Sequence, residues 1–76
     1  MPKAFIMLNT EMGKERIILE KLRKTPQVNK AHYVYGVYDL VVEVEADTMD
    51  ALKQSIFKEI RNLEGVRSTL TMVALE

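Results

Sequence analysis

Hydrophobic residues alternate with polar or opposite-facing apolar residues in four stretches of this chain, and recur at helical spacing in two others. Between residues 3 and 10, Phe5 and Met7 alternate with Ala4, Ile6 and Leu8, a strand with apolar groups on both faces. From Lys14 to Lys24, Ile17, Ile18 and Leu22 predict a helix with Glu15, Arg16, Glu20, Lys21 and Arg23 turned outward. Pro26 stops it, because its ring pushes the preceding residue out of the helical region. Residues 28 to 35 predict a second strand, and Tyr35-Gly36-Val37-Tyr38-Asp39 a turn leading into the clearest strand, where Leu40, Val42, Val44 and Ala46 alternate with Val41, Glu43 and Glu45. Asp47 or Thr48 is expected to cap the next helix, whose stripe is Met49, Leu52, Ile56, Ile60 and Leu63, with Phe57 also in the core and Gly65 closing its C-terminus. Residues 66 to 75 predict the last strand, with Val66, Leu70 and Met72 on one face and Thr69, Thr71 and Val73 on the other.

The order βαββαβ, with right-handed crossovers, predicts an α+β ferredoxin-like sandwich: an antiparallel four-stranded sheet with both helices on one face. The other face is then uncovered, and is expected to carry Phe5 and Met7 or their neighbours, Tyr33, Tyr35, Val41, Glu43, Thr69, Thr71 and Val73. Such a face is too apolar for water and marks an interface, so dimers packed sheet against sheet, as in a dimeric α+β barrel, are expected.

Size strengthens that expectation. A domain of 76 residues buries only about 60% of its unfolded surface. Without a cysteine it lacks disulfides and thiolate-bound metal, which leaves oligomerisation as its support. Eleven basic residues balance eleven acidic ones without a basic stripe, which argues against phosphate-backbone or anionic-membrane binding. A cytoplasmic protein without membrane spans is expected, since no apolar run approaches the roughly 20 residues a span requires.

The candidate chemistry is sparse. His32 is the single histidine and has no sequence neighbour to orient it, so a surface or interface position is favoured over catalysis or metal binding. Glu43 and Glu45 share a strand face and read as its polar side. No phosphate-binding loop, dinucleotide motif or nucleophile elbow occurs, and the central strands lack the basic aromatic motif of an RNA-recognition module. The turn is different. Gly36 permits backbone that other residues avoid and exposes its N–H groups, while Asp39 offers an acceptor for an ammonium and Tyr38 a wall with a hydroxyl. Asp39 can equally cap the turn through its own side chain. Thr69 and Thr71 add hydroxyls suited to the polar ends of an amino acid.

Gly36-Val37-Tyr38-Asp39-Leu40-Val41-Val42-Glu43-Val44, the helix from Met49 to Leu63, and Gly65-Val66-Arg67-Ser68-Thr69-Leu70-Thr71-Met72-Val73 together resemble the effector-binding domain of the Lrp/AsnC feast/famine regulators, also known as the RAM domain. The resemblance spans essentially the whole chain and implies a single domain over residues 1–76, with homodimers assembling into octamers or decamers. It implies no enzyme activity and no cofactor other than an amino-acid effector, held between dimers by residues matching Gly36, Val37, Tyr38 and Asp39, with Thr69 and Thr71 contributing. Family members carry a helix-turn-helix domain before this one. The chain resembles the stand-alone form, expected to act through full-length regulators with no direct DNA binding. Two rival readings stand beside it: a small dimeric barrel enzyme using His32 and Tyr33, and a purely structural oligomerisation module.

Overall fold

Alternation in residues 40 to 45 is where the sheet begins, because every second side chain there is apolar and fully buried. The structure, a computed structural model, describes residues 1–75; Glu76, the last residue of the expected domain, lies outside the described residues. The strands are β1 (Lys3–Thr10), β2 (Val28–Tyr33), β3 (Leu40–Glu45) and β4 (Val66–Ala74). They form one sheet in the order β2-β3-β1-β4 with every neighbouring pair antiparallel. With α1 (Glu15–Arg23) and α2 (Met49–Ser55) on one face, this is the expected ferredoxin-like sandwich.

The core lies between that face and the helices. Ala4, Ile6 and Leu8 of β1 stand opposite Val44, Val42 and Leu40 of β3, and all six are fully buried together with Ile18, Leu22, Leu52 and Ile60. On α1, Leu19 rather than Ile17 joins them. These two residues lie about 100° to either side of Ile18 on a helix. α1 packs mainly on β2, and in that position the Leu19 side is turned inward.

Thr48, one of the two expected caps, accepts the Ala51 backbone N–H on its hydroxyl at 3.0 Å. The apolar stripe then departs from expectation. From Ile56 to Ile60 the helix widens into a π turn, in which the Arg61 N–H donates to the Ile56 carbonyl at 3.0 Å. The helix ends there. Gly65 therefore lies in the turn that starts β4 rather than at the helix end, with φ +95° and its carbonyl accepting from the Glu11 N–H at 2.7 Å. A Cβ at Gly65 would also lie 3.1 Å from Ile18 Cδ1, so both conformation and space call for glycine. Met49 and Phe57, expected in the core, are exposed, since Leu52, Ser55, Ile56 and Ile60 take the inward side.

The sheet register corrects the expected open face. Phe5 and Met7 pair with Glu43 and Val41 on β3 and with Met72 and Leu70 on β4, so these residues share the side away from the helices. Thr69, Thr71 and Val73 pair with Leu8, Ile6 and Ala4, which places them on the helix side. Between Asn9 and Thr10 the pairing jumps from Ser68 to Val66, making Arg67 an extra residue in β4. That β-bulge lets Val66 pack against the core and Ser68 face the other way, inverting the parity of the strand. A second irregularity, between Val28 and Lys30, sets His32 opposite Val41 on the open face and Tyr33 opposite Leu40 on the helix side. Tyr35 lies beyond the strand and is fully exposed.

Candidate functional site

Two features stand apart from the core: the open sheet face and the end of the sheet where β1, β3 and β4 meet the turn. On the open face, the row Val41, Met7, Leu70 and the row Glu43, Phe5, Met72 put five apolar side chains side by side. Leu70 and Met72 are 44% and 42% exposed, although they belong to a sheet only one layer from the core. Polar groups flank the rows. Asn29 Nδ2 donates to Glu43 Oε2 at 3.1 Å and to Glu45 Oε1 at 2.8 Å, and Lys3 Nζ lies 3.7 Å from Glu43 Oε2.

The Asn29 hydrogen bond, helped by Lys3 and Lys30 and opposed by partial desolvation, holds the Glu43 carboxyl below the ordinary value of 4.5. A carboxyl with a depressed folded-state pKa contributes stability that is present above 4.5 and is lost as pH falls through the lowered folded value. Below pH 4.5 the protein is therefore expected to lose slightly more stability than Glu43→Gln does. Urea midpoints from pH 6 down to about pH 3 check this; parallel curves for the two proteins would remove Glu43 from the account.

His32 lies exposed on this open face, opposite Val41. Among the described residues no group of three or more His, Cys, Asp or Glu is placed to hold a metal ion.

The turn between β2 and β3 is built around Gly36, whose φ of +154° is a conformation side chains resist, although a Cβ there would meet nothing within 4 Å. Val37 is exposed, whereas Tyr38 and Asp39 are half-buried. The Asp39 N–H donates to the Leu8 carbonyl at 2.9 Å, and the Asp39 carbonyl accepts from the Val34 N–H at 2.9 Å. The carboxylate does not close the turn on itself. Its Oδ2 accepts from the Thr10 backbone N–H at 2.9 Å and from the Thr10 hydroxyl at 3.3 Å, tying the turn to the end of β1 opposite the bulge.

That tie forms one wall of a polar cleft of about 310 Å³ lined by Asn9, Thr10, Asp39, Arg67 and Ser68. Asn9 Nδ2 donates to Ser68 Oγ across it at 3.2 Å. The bulge explains why Arg67 is here: the extra residue has no partner in the regular ladder, and its side chain lines the cleft. Of the residues predicted from sequence, only Asp39 lines the cleft. Thr71 instead borders a groove of about 260 Å³ with Lys53, Ile56, Phe57, Arg61 and Val73, where the Arg61 guanidinium lies 5.6 Å from the Phe57 ring centre. Thr69 stands opposite Leu8, whose other neighbour is Leu40. Two strand spacings, about 10 Å, thus separate it from the strand that begins at the turn. Neither threonine lines the cleft that holds Asp39. Sequence reasoning missed Asn9, Thr10, Arg67 and Ser68. The signal available was the polar run Arg67-Ser68-Thr69, which breaks the alternation of β4.

No helix among the described residues is long and apolar enough to cross a membrane. Comparison with known proteins gives a consistent picture. The family profile of the Lrp/AsnC ligand binding domain matches residues 3–76. An HTH-type transcriptional regulator of Pyrococcus abyssi is 31% identical over 70 residues, covering 92% of this chain and 44% of that protein. The chain thus spans about half the length, or less, of the curated relatives it matches. The crystal structure of FFRP-DM1 superposes with a TM-score of 0.95 at 47% identity, covering 99% of this chain and 100% of that one. Escherichia coli AsnC gives 0.90 at 25% identity over 99% of this chain and 51% of its own.

Proposed function

The chain belongs to the Lrp/AsnC ligand-binding domain family, a family of regulators rather than enzymes, and from that premise we propose that it is a cytoplasmic effector-sensing and assembly module. Two copies pack open face to open face. Such dimers associate further, into octamers or decamers, and an amino acid or similar small molecule binds at the subunit boundaries beside the turn of Gly36, Val37, Tyr38 and Asp39. Thr69 and Thr71, which do not line the Asp39 cleft of their own subunit, reach the turn from a neighbouring dimer. Regulation of transcription follows through co-assembly with full-length regulators of the same family.

The observation that carries this reading is the apolar pair of rows on an uncovered sheet face, with the cleft and turn at its rim. A domain of this size gains its missing burial by covering that face. A ligand bound between dimers then shifts assembly by its preference for the assembled state over free dimers. Calorimetric titration with each of the twenty proteinogenic L-amino acids tests the sensing half, with binding expected for a small subset. Absence of heat from all of them at millimolar concentration sinks it and leaves a structural oligomerisation module.

A further inference from the structure

We propose that the outer surface of α2 and its π turn, together with the helix side of β4, is a docking site for an acidic peptide segment of another protein, anchored by apolar residues on either side of Phe57. Phe57 is 59% exposed, although the helix that carries it buries Leu52, Ile56 and Ile60 on its inner side. The Arg61 guanidinium lies over the ring, 5.6 Å from its centre. The ring stands as a ridge between two concavities, both of which Phe57 and Lys53 line. Toward β4 is the groove of about 260 Å³ floored by the buried Ile56 and bordered by Val73, and on the outer side is one of about 560 Å³ that includes Asp50 and Lys58. Because β4 is an edge strand, no further strand extends the helix layer past it, and Val73 stays 40% exposed on the helix side.

Charge selects the partner. Lys53, Lys58 and Arg61 line the two concavities against the single carboxylate of Asp50, and among the described residues none of the three cations makes an ion pair within 4.0 Å. The excess is local, since the chain as a whole is neutral. Acidic side chains gain by complementarity and by accepting from the Arg61 fork, while apolar ones gain by covering Phe57, Ile56 and Val73. An aromatic anchor with a charged rim is where interfaces concentrate their binding energy.

Other occupants fit less well. A second copy placed on this patch by a two-fold axis sets Lys53, Lys58 and Arg61 against their own counterparts. A nucleic-acid strand calls for cations spread along its phosphates, and three clustered ones do not provide that. Dimers formed through the open sheet face leave the patch accessible, because it lies on the opposite side of the sheet.

An array of random dodecapeptides, probed with the fluorescently labelled protein in its native oligomeric form, tests this. Bound peptides are expected to be enriched in aspartate and glutamate together with phenylalanine, leucine, isoleucine or methionine. The tightest of them, measured by fluorescence anisotropy, is expected to lose at least about tenfold in affinity on Phe57→Ser, on Lys53→Glu combined with Arg61→Glu, and when salt rises from about 50 to about 500 mM. Circular dichroism and native mass of the variants are expected to match those of the unaltered protein. The proposal is overturned if no peptide binds, if basic or uncharged peptides dominate, or if Phe57→Ser binds the same peptides equally well. It is also overturned if single-stranded RNA displaces the tightest peptide more effectively than the unlabelled peptide does, or if Phe57→Ser reduces larger assemblies to dimers, which makes a second copy the occupant. None of these results bears on amino-acid binding, which the calorimetric titration reads separately.

Discussion

A chain carrying Leu70→Lys and Met72→Lys together is expected to run as a monomer at concentrations where the unaltered protein is dimeric. Leu70 and Met72 lie on the outer edge of the two apolar rows, each still about two-fifths exposed in a single subunit. Covering that remaining surface is worth about 1 kcal/mol for each side chain, hence on the order of 4 kcal/mol for the four in a symmetric dimer. Four lysines brought to one interface add repulsion, and together the effects raise the dimer dissociation constant by about a thousandfold or more. Sedimentation velocity over a dilution series measures it. Phe57→Lys is the control, because Phe57 is 59% exposed on the helix side and the same charge there leaves the sheet face untouched. If the double variant dimerises as tightly as the unaltered chain, the open face is not the contact.

Asp39→Ala is expected to lower stability by about 1 to 3 kcal/mol, because it strips the acceptor from the Thr10 backbone N–H at a position that is only 6% exposed. For a domain of this size that is a drop of roughly 5 to 20 °C in melting temperature at fixed protein concentration. Asp39→Asn keeps one carbonyl acceptor and is expected to recover part of the loss. A melting temperature within about 2 °C of the unaltered protein for Asp39→Ala would show that the tie to β1 carries no weight. The consequence for function is practical. Loss of ligand response in Asp39→Ala therefore mixes a binding effect with a folding effect.

Element order was legible because it depends on period alone: the alternation of β3, the recurrence of Ile18 and Leu22, and the Thr48 cap all need only near neighbours along the chain. The face that each strand presents was less legible. β4 is apolar on both sides, and without the bulge at Arg67 the inward position of Val66 would have carried Leu70 and Met72 inward with it. A one-residue slip exchanges every later side chain between faces, which is why unbroken alternation puts Thr69, Thr71 and Val73 on the open side and the structure does not. The π turn was hidden for a related reason: the spacing of Ile56 and Ile60 fits an ordinary helix equally well, and the wider hydrogen bonding, as from Arg61 to Ile56, distinguishes the two. Of the cleft, only Asp39 was visible, as the last residue of the turn. The rest exists because the end of β1 and the start of β4, far apart in sequence, are joined with unequal spacing, Asn9 to Ser68 and Thr10 to Val66.

This chain is expected to associate through its open sheet face, and a small effector to redistribute the assemblies so formed. The most direct test is a native mass measurement at low micromolar chain concentration, made without ligand and repeated with the twenty L-amino acids pooled at millimolar concentration. The prediction is a series of even-numbered assemblies built on a dimer, whose balance between dimers and larger forms changes when the amino acids are present. A monomer under both conditions would contradict the account.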